Sequence, residues 1–111
     1  MKETIESIIK WQTETFPDAT RDGQCAKFQD EKAEYFESHE LMELADMFIV
    51  ACSIARFDAM HAMCCFATVE RLRSVTRWTN QDFATVIDEK MAINRARRWN
   101  KCDGKYQHVE E

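Results

Sequence analysis

With only two glycines, Gly23 and Gly104, and one proline, Pro17, a chain of 111 residues has little from which to build tight turns. Glycine supplies the positive φ that many turns require, and proline fixes φ while removing an N–H donor. Sheets built from hairpins draw on both repeatedly, whereas a few long helices joined by short connections need neither. The chain is also rich in Ala, Glu, Lys, Met and Leu, which lose little side-chain freedom in a helix. These features predict an all-α fold, a bundle, and the length predicts a single domain over residues 1–111.

The bundle can be outlined along the chain. Ile5, Ile8, Ile9 and Phe16 share one side of a first helix over residues 2–16, which Pro17 stops and a loop containing Gly23 follows. A second helix is expected over 24–37 and a third over 39–57, with Ser38 as its N-cap. Residues 58–78 read as helical without clear boundaries. Thr79 and Asp82 form a capping-box pattern that opens a last helix running to Trp99, followed by a polar tail with a turn at Asp103-Gly104.

The net charge of −5 disfavours nucleic acid and anionic membrane as partners, because both recruit excess cations. No stretch approaches the roughly 20 apolar residues that cross a bilayer, and "MKETIESIIK" lacks a secretory apolar run. The five cysteines, with no C-x-x-C among them, read as reduced thiols, which fits a cytoplasmic location.

Two carboxylate pairs carry the first chemical signal. Glu31 and Glu34 precede Glu43 and Asp46, and residues three apart on a helix share a face, about 60° apart around the axis. Asp46 is the only charge in "LADMFIVACSIA", a segment apolar enough to be buried over most of its circumference. A buried carboxylate needs a cationic partner, either a basic side chain or a metal ion. Oxygen ligands without imidazole or thiolate suit Mg²⁺ or Mn²⁺ better than Zn²⁺.

The last predicted helix carries the second signal. Its apolar stripe of Phe83, Val86 and Ile87 continues into Lys90, Asn94 and Arg97, so the core-facing side turns from apolar to cationic. Such a face suits a polyanion; it equally suits interhelical salt bridges with the acids. Arg98 lies about 60° off the stripe. Lys27, one turn before Glu31, can join these cations or remain solvated. Trp11 and Gln12 on the first helix can stack on and hydrogen-bond a base, or serve as core. His61, Cys64 and Cys65 lack a matching second cluster and read as packing residues, the thiols small and buried.

Taken together, "KFQDEKAEYFE…ELMELADMF" resembles the paired acidic signature, E-x-x-E then E-x-x-D, of the MazG-like all-α nucleoside triphosphate pyrophosphohydrolases. "WQTETFP" is similar to the family's first helix. "KMAINRARRWNKCDGKYQHV", with its K-x-x-x-N-x-x-R segment and D-G-x-x-x-H tail, resembles the compact MazZ-type phage and bacterial branch. The likeness runs from about Ile8 to His108 and is least clear over 58–78; Asp30 departs from it where many relatives carry Glu.

The resemblance implies a four- to five-helix bundle that works as a homo-oligomer, a dimer or dimer of dimers. It implies two or three Mg²⁺ or Mn²⁺ ions held by Glu31, Glu34, Glu43 and Asp46, which are thereby the catalytic residues. Phosphates would lie on Lys90, Asn94, Arg97 and Lys27, and a base near Ile8, Trp11 and Gln12. The implied reaction is attack of water on the α-phosphorus of a purine deoxynucleoside triphosphate, dGTP first and dATP or GTP next, releasing monophosphate and pyrophosphate. Its setting would be nucleotide-pool control, in the host cytoplasm if the protein is phage-encoded. The same chemistry on dUTP, dCTP or a damaged nucleotide, or a non-catalytic helical interaction module, are the alternatives.

Overall fold

The computed structural model describes residues 1–102 and 105–108, with side chains through Trp99. Five helices follow one another: α1 (Ile5–Thr15), α2 (Arg21–Ser38), α3 (Leu41–Ala55), α4 (Ala59–Ser74) and α5 (Asn80–Ala96). Two short strands come after them, β1 (Trp99–Cys102) and β2 (Lys105–His108). They pair antiparallel, with Trp99 opposite His108 and Cys102 opposite Lys105. The helical bundle is as the composition predicts; the strands are an addition to it. Asp103 and Gly104, where the sequence suggests a turn, lie outside the described residues, as do the side chains of Cys102 and His108.

The helix starts follow from short polar side chains that accept orphan backbone N–H groups. Thr4 and Ser7 form a reciprocal capping box on α1, Thr20 accepts from Gly23 N, and Asp58 accepts from His61 N. The capping box read from Thr79 and Asp82 is present at α5. Ser38 behaves differently from expectation. It is the last residue of α2, and α3 starts from Glu40 without a side-chain cap. His39 takes a left-handed conformation, φ 55°, ending α2, and the Ser38 hydroxyl accepts from Glu40 N at 3.2 Å. The connection is therefore a helix C-terminal turn rather than an N-cap.

The last helix is also shorter than expected. It stops at Ala96, and Arg97 is already extended. Trp99 Nε1 donates to the Asn94 carbonyl at 3.1 Å, satisfying one of the oxygens that a helix end leaves bare. Its ring meets Phe16 edge to face at 5.2 Å. Tertiary packing, not a breaker residue, ends α5.

The core gathers on α3, which packs against α1, α2, α4 and α5. Leu44, Met47 and Ile54 are fully buried, and burial of such side chains stabilises by about 1.5–3 kcal/mol each. Ala45, Ala51 and Cys52 let neighbouring helices approach closely. Two polar latches fix α1 relative to the rest. Arg56 Nη1 donates to the Phe16 carbonyl at 3.1 Å, a cation at the C-terminal end of α1. The Asp88 carboxylate accepts from the N–H groups of Lys2 and Glu3, while Glu3 receives a two-pronged contact from Arg95 at 2.9 and 3.0 Å. None of the helices in the described residues is long and apolar enough to cross a membrane.

Candidate functional site

A cleft of about 610 Å³ opens between α1, α2, α3 and α5. On α2 the core-facing stripe is Gln24, Phe28 and Tyr35, and Glu31 falls within its spacing. On α3 Glu43 and Asp46 lie one turn apart, directly before the helix becomes fully apolar. The α2–α3 turn folds the two helices face to face, which brings both acidic pairs to the same cleft wall. One carboxylate oxygen from each of Glu31, Glu43 and Asp46 lies within 4.8 Å of the others. Glu34, more exposed, lines the rim of the same wall.

Crowding and burial set the electrostatics. Burial first, then the charges of Asp46 and Glu34, push Glu31 up to about 8, with Lys27 opposing the shift. Burial followed by the Asp46 and Glu34 charges pushes Glu43 up to about 7. Asp46 is also raised, again chiefly by burial, against the pull of Lys90. Oε2 of Glu31 and Oε2 of Glu43 are buried without a hydrogen-bond partner. Buried carboxylate oxygens normally find donors, and each of these two can still accept one or bind a cation.

A hard divalent ion fits that demand. All the ligand atoms are carboxylate oxygens, and oxygens on opposite sides of an ion with bonds of about 2.1 Å stand roughly 4 Å apart. Three carboxylate oxygens within 4.8 Å of one another approach that separation. The residues present are compatible with Mg²⁺ or Mn²⁺.

Cations line the same cleft beside the acids. Lys90 and Asn94 come from α5 and Arg97 from the residue just after it. Lys90 Nζ lies 3.3 Å from Asp46 Oδ1, and Lys27 Nζ lies 3.8 Å from Glu31 Oε1. Asn94 is buried, and its Oδ1 has no partner. Arg98 is exposed and is not part of the cleft lining.

Aromatic rings close one end. Trp11, Phe16 and Trp99 contact one another edge to face, with centroids 5.2 to 6.2 Å apart. Beside them Gln12 Nε2 donates to the Ile49 carbonyl at 2.8 Å. That bond fixes the amide so that its Oε1, buried and unpartnered, remains an acceptor. Ile8 is elsewhere: it is fully buried in the core and does not line the cleft, because it sits one turn back on the packed side of α1. In this structure it is a packing residue of the core, away from the cleft where the other two residues named for a base, Trp11 and Gln12, lie. Cys64, expected to be buried, is exposed, while Cys65 beside it is buried; neither is in a disulfide.

The cleft thus unites Glu31, Glu34, Glu43, Asp46, Lys27, Lys90, Asn94, Arg97, Trp11 and Gln12. Sequence reasoning did not assign Phe16, Gln24, Asp30, Ile49, Val50 and Trp99 to the site, though all six line the cleft. Gln24, a polar residue on a core stripe, carries a signal that could have been found. Trp99 carries none, since its position depends on where α5 ends. Comparison of the chain with protein-family models, curated proteins and solved structures finds no match.

Proposed function

We propose that this protein is a metal-dependent nucleoside triphosphate pyrophosphohydrolase of the MazG-like kind. The observation that carries the reading is one cleft lined both by the carboxylates and by Lys90, Asn94 and Arg97. A triphosphate with its divalent ion needs both, since acids hold the ion and bases hold the phosphates. When bound, the ion would neutralise phosphate charge and acidify the attacking water.

The chain's own groups divide the remaining work. Glu31, Glu43 and Asp46 form the ion-holding wall. Glu34, the most exposed of the four acids, would accept a proton from water. Lys90 and Arg97 offset charge on the departing pyrophosphate, and Asn94 adds a directed contact. Trp11 and Trp99 offer faces for a base, and Gln12 Oε1 accepts an N–H from the base edge. The acceptor calls only for an N–H donor on the base edge; the order dGTP first, then dATP or GTP, is what the family resemblance implies.

The test is incubation with each common dNTP and NTP plus Mg²⁺ or Mn²⁺, followed by product separation. Monophosphate and pyrophosphate are expected. Diphosphate with orthophosphate contradicts attack at the α-phosphorus, and preference for dUTP, dCTP or a damaged nucleotide transfers the assignment to those substrates. No turnover favours a non-catalytic interaction module.

The homo-oligomer belongs to the same proposal. Ala62, Cys65 and Val69 pack α4 onto α3, leaving Met60, Met63, Cys64 and Ala67 exposed along its outer face. Met60 and Met63 are 76% and 65% exposed. An apolar helix face of this kind suits a second copy of the chain. Light scattering is expected to give at least twice the 13.1 kDa of one chain. A Met60→Lys, Met63→Lys double variant is expected to shift the mass toward the monomer. A parent protein that is monomeric at micromolar concentration overturns the oligomer.

A further inference from the structure

Lys90 and Asp46 are the most covered ion pair among the described residues, with side chains 13% and 15% exposed. Exposed pairs such as Lys10 with Glu14 contribute little and need no special account. A pair drawn out of water is different, since its desolvation cost offsets much of the attraction. Here the acid is also one of the three carboxylates that converge closely enough for one ion. The Lys90 ammonium therefore already stands where a cation would be needed. One turn further along α5, Asn94 is only 5% exposed, and its buried Oδ1 has no partner. Residues i and i+4 share a helix face. Lysine's flexible stem can carry its ammonium between such neighbours.

We propose that Lys90 is an exchangeable counter-ion. It holds Asp46 while the acidic wall is empty. When a divalent ion enters it releases Asp46, and its ammonium passes toward Asn94 Oδ1 and the bound phosphates. Cation and phosphate binding are then coupled through this one side chain. The inference rests on the metal-dependent reading and adds to it an order: the ion that frees Asp46 also frees the lysine for the anion. Linkage makes the coupling reciprocal, so pyrophosphate strengthens ion binding as much as the ion strengthens pyrophosphate binding.

The test measures free Mn²⁺ by electron paramagnetic resonance during titration of the full chain, with and without inorganic pyrophosphate. Three proteins are compared: the parent, Lys90→Met, and Lys10→Met, which removes the same charge from an exposed site on α1. Without pyrophosphate, Lys90→Met is expected to bind Mn²⁺ roughly tenfold more tightly than the parent, within the range of coupling between sites. The tightening produced by pyrophosphate is expected to shrink in this variant, while Lys10→Met follows the parent. Circular dichroism verifies folding, and Lys90→Gln replaces the methionine variant if that one unfolds. Unchanged or weaker Mn²⁺ binding in Lys90→Met, with a parent that does bind, overturns the exchange. A parent that binds no Mn²⁺ in either condition overturns the metal reading itself.

Discussion

Asp46→Asn is expected to reduce nucleotide turnover at least about 100-fold, since even outer partners of metal ligands cost 10- to 100-fold when removed. The substitution is nearly isosteric. Asparagine Oδ1 can still accept from the Lys90 ammonium, which in the parent lies 3.3 Å from Asp46 Oδ1. What disappears is one of the three carboxylate groups whose oxygens converge within 4.8 Å. An amide oxygen is a poorer ligand for a hard divalent ion than a carboxylate.

Stability separates this chemical loss from a folding defect. Burial is the main cause that raises the Asp46 carboxyl, so its charge is held against an adverse environment. Removing that charge is expected to leave the metal-free melting temperature within a few degrees of the parent. The measurement is pyrophosphate release at saturating Mg²⁺ beside a thermal melt in EDTA. Full activity in the variant means that Asp46 is not a ligand. Loss of helicity with loss of activity makes it a structural residue instead.

The legibility of these features in the sequence depended on how local their causes are. The capping box of Thr79 and Asp82 is visible because both partners lie within four residues, and it is present. Asp46 could be singled out because α3 is otherwise so apolar that any charge on it must be accommodated. The convergence of α2 and α3 needs only a short connection between two helices, so the placement of all four acids on one wall was within reach. Failures came where distant contacts decide. The run from Asn94 to Trp99 contains no helix breaker, yet α5 ends at Ala96 because Trp99 packs on Phe16 and returns a hydrogen bond to Asn94. The strands that follow pair with each other and lack the alternating apolar pattern that announces a half-buried strand. Ile8 and Gln12 are both buried, one turn apart on α1, but only Gln12 reaches the cleft. Periodicity assigns a face to residues; it does not say which end of that face meets a cavity. The latch of Glu3 to Arg95 spans 92 positions and was equally out of reach.

Metal-free protein is expected to lose thermal stability as pH rises from about 5 to about 8, by several degrees, since 1 kcal/mol corresponds to roughly 4–8 °C in a domain of this size. The direction follows from Glu31 and Glu43, raised from 4.5 to about 8 and about 7 in the folded chain, chiefly by burial. Below the ordinary value of 4.5 both folded and unfolded forms keep these protons, and the neutral carboxyls cause no penalty. Above it the unfolded chain releases them freely while the folded chain retains them, so the folded state binds more protons and its stability falls with pH. The loss is complete once pH exceeds about 8. Glu3, Asp58 and Glu70 act elsewhere. Arg95, the His61 backbone N–H and Arg73 respectively hold them below their ordinary values, so their contributions are lost only at more acid pH. Mn²⁺ is expected to raise the melting temperature more at pH 8 than at pH 5, because protons compete with the ion for the same oxygens. Melts in EDTA and in excess Mn²⁺ across this range measure both slopes. If the metal-free protein instead became steadily more stable toward pH 8, Glu31 and Glu43 would have to be ionised without penalty, and the crowded carboxylate wall on which the catalytic reading depends would be lost with them.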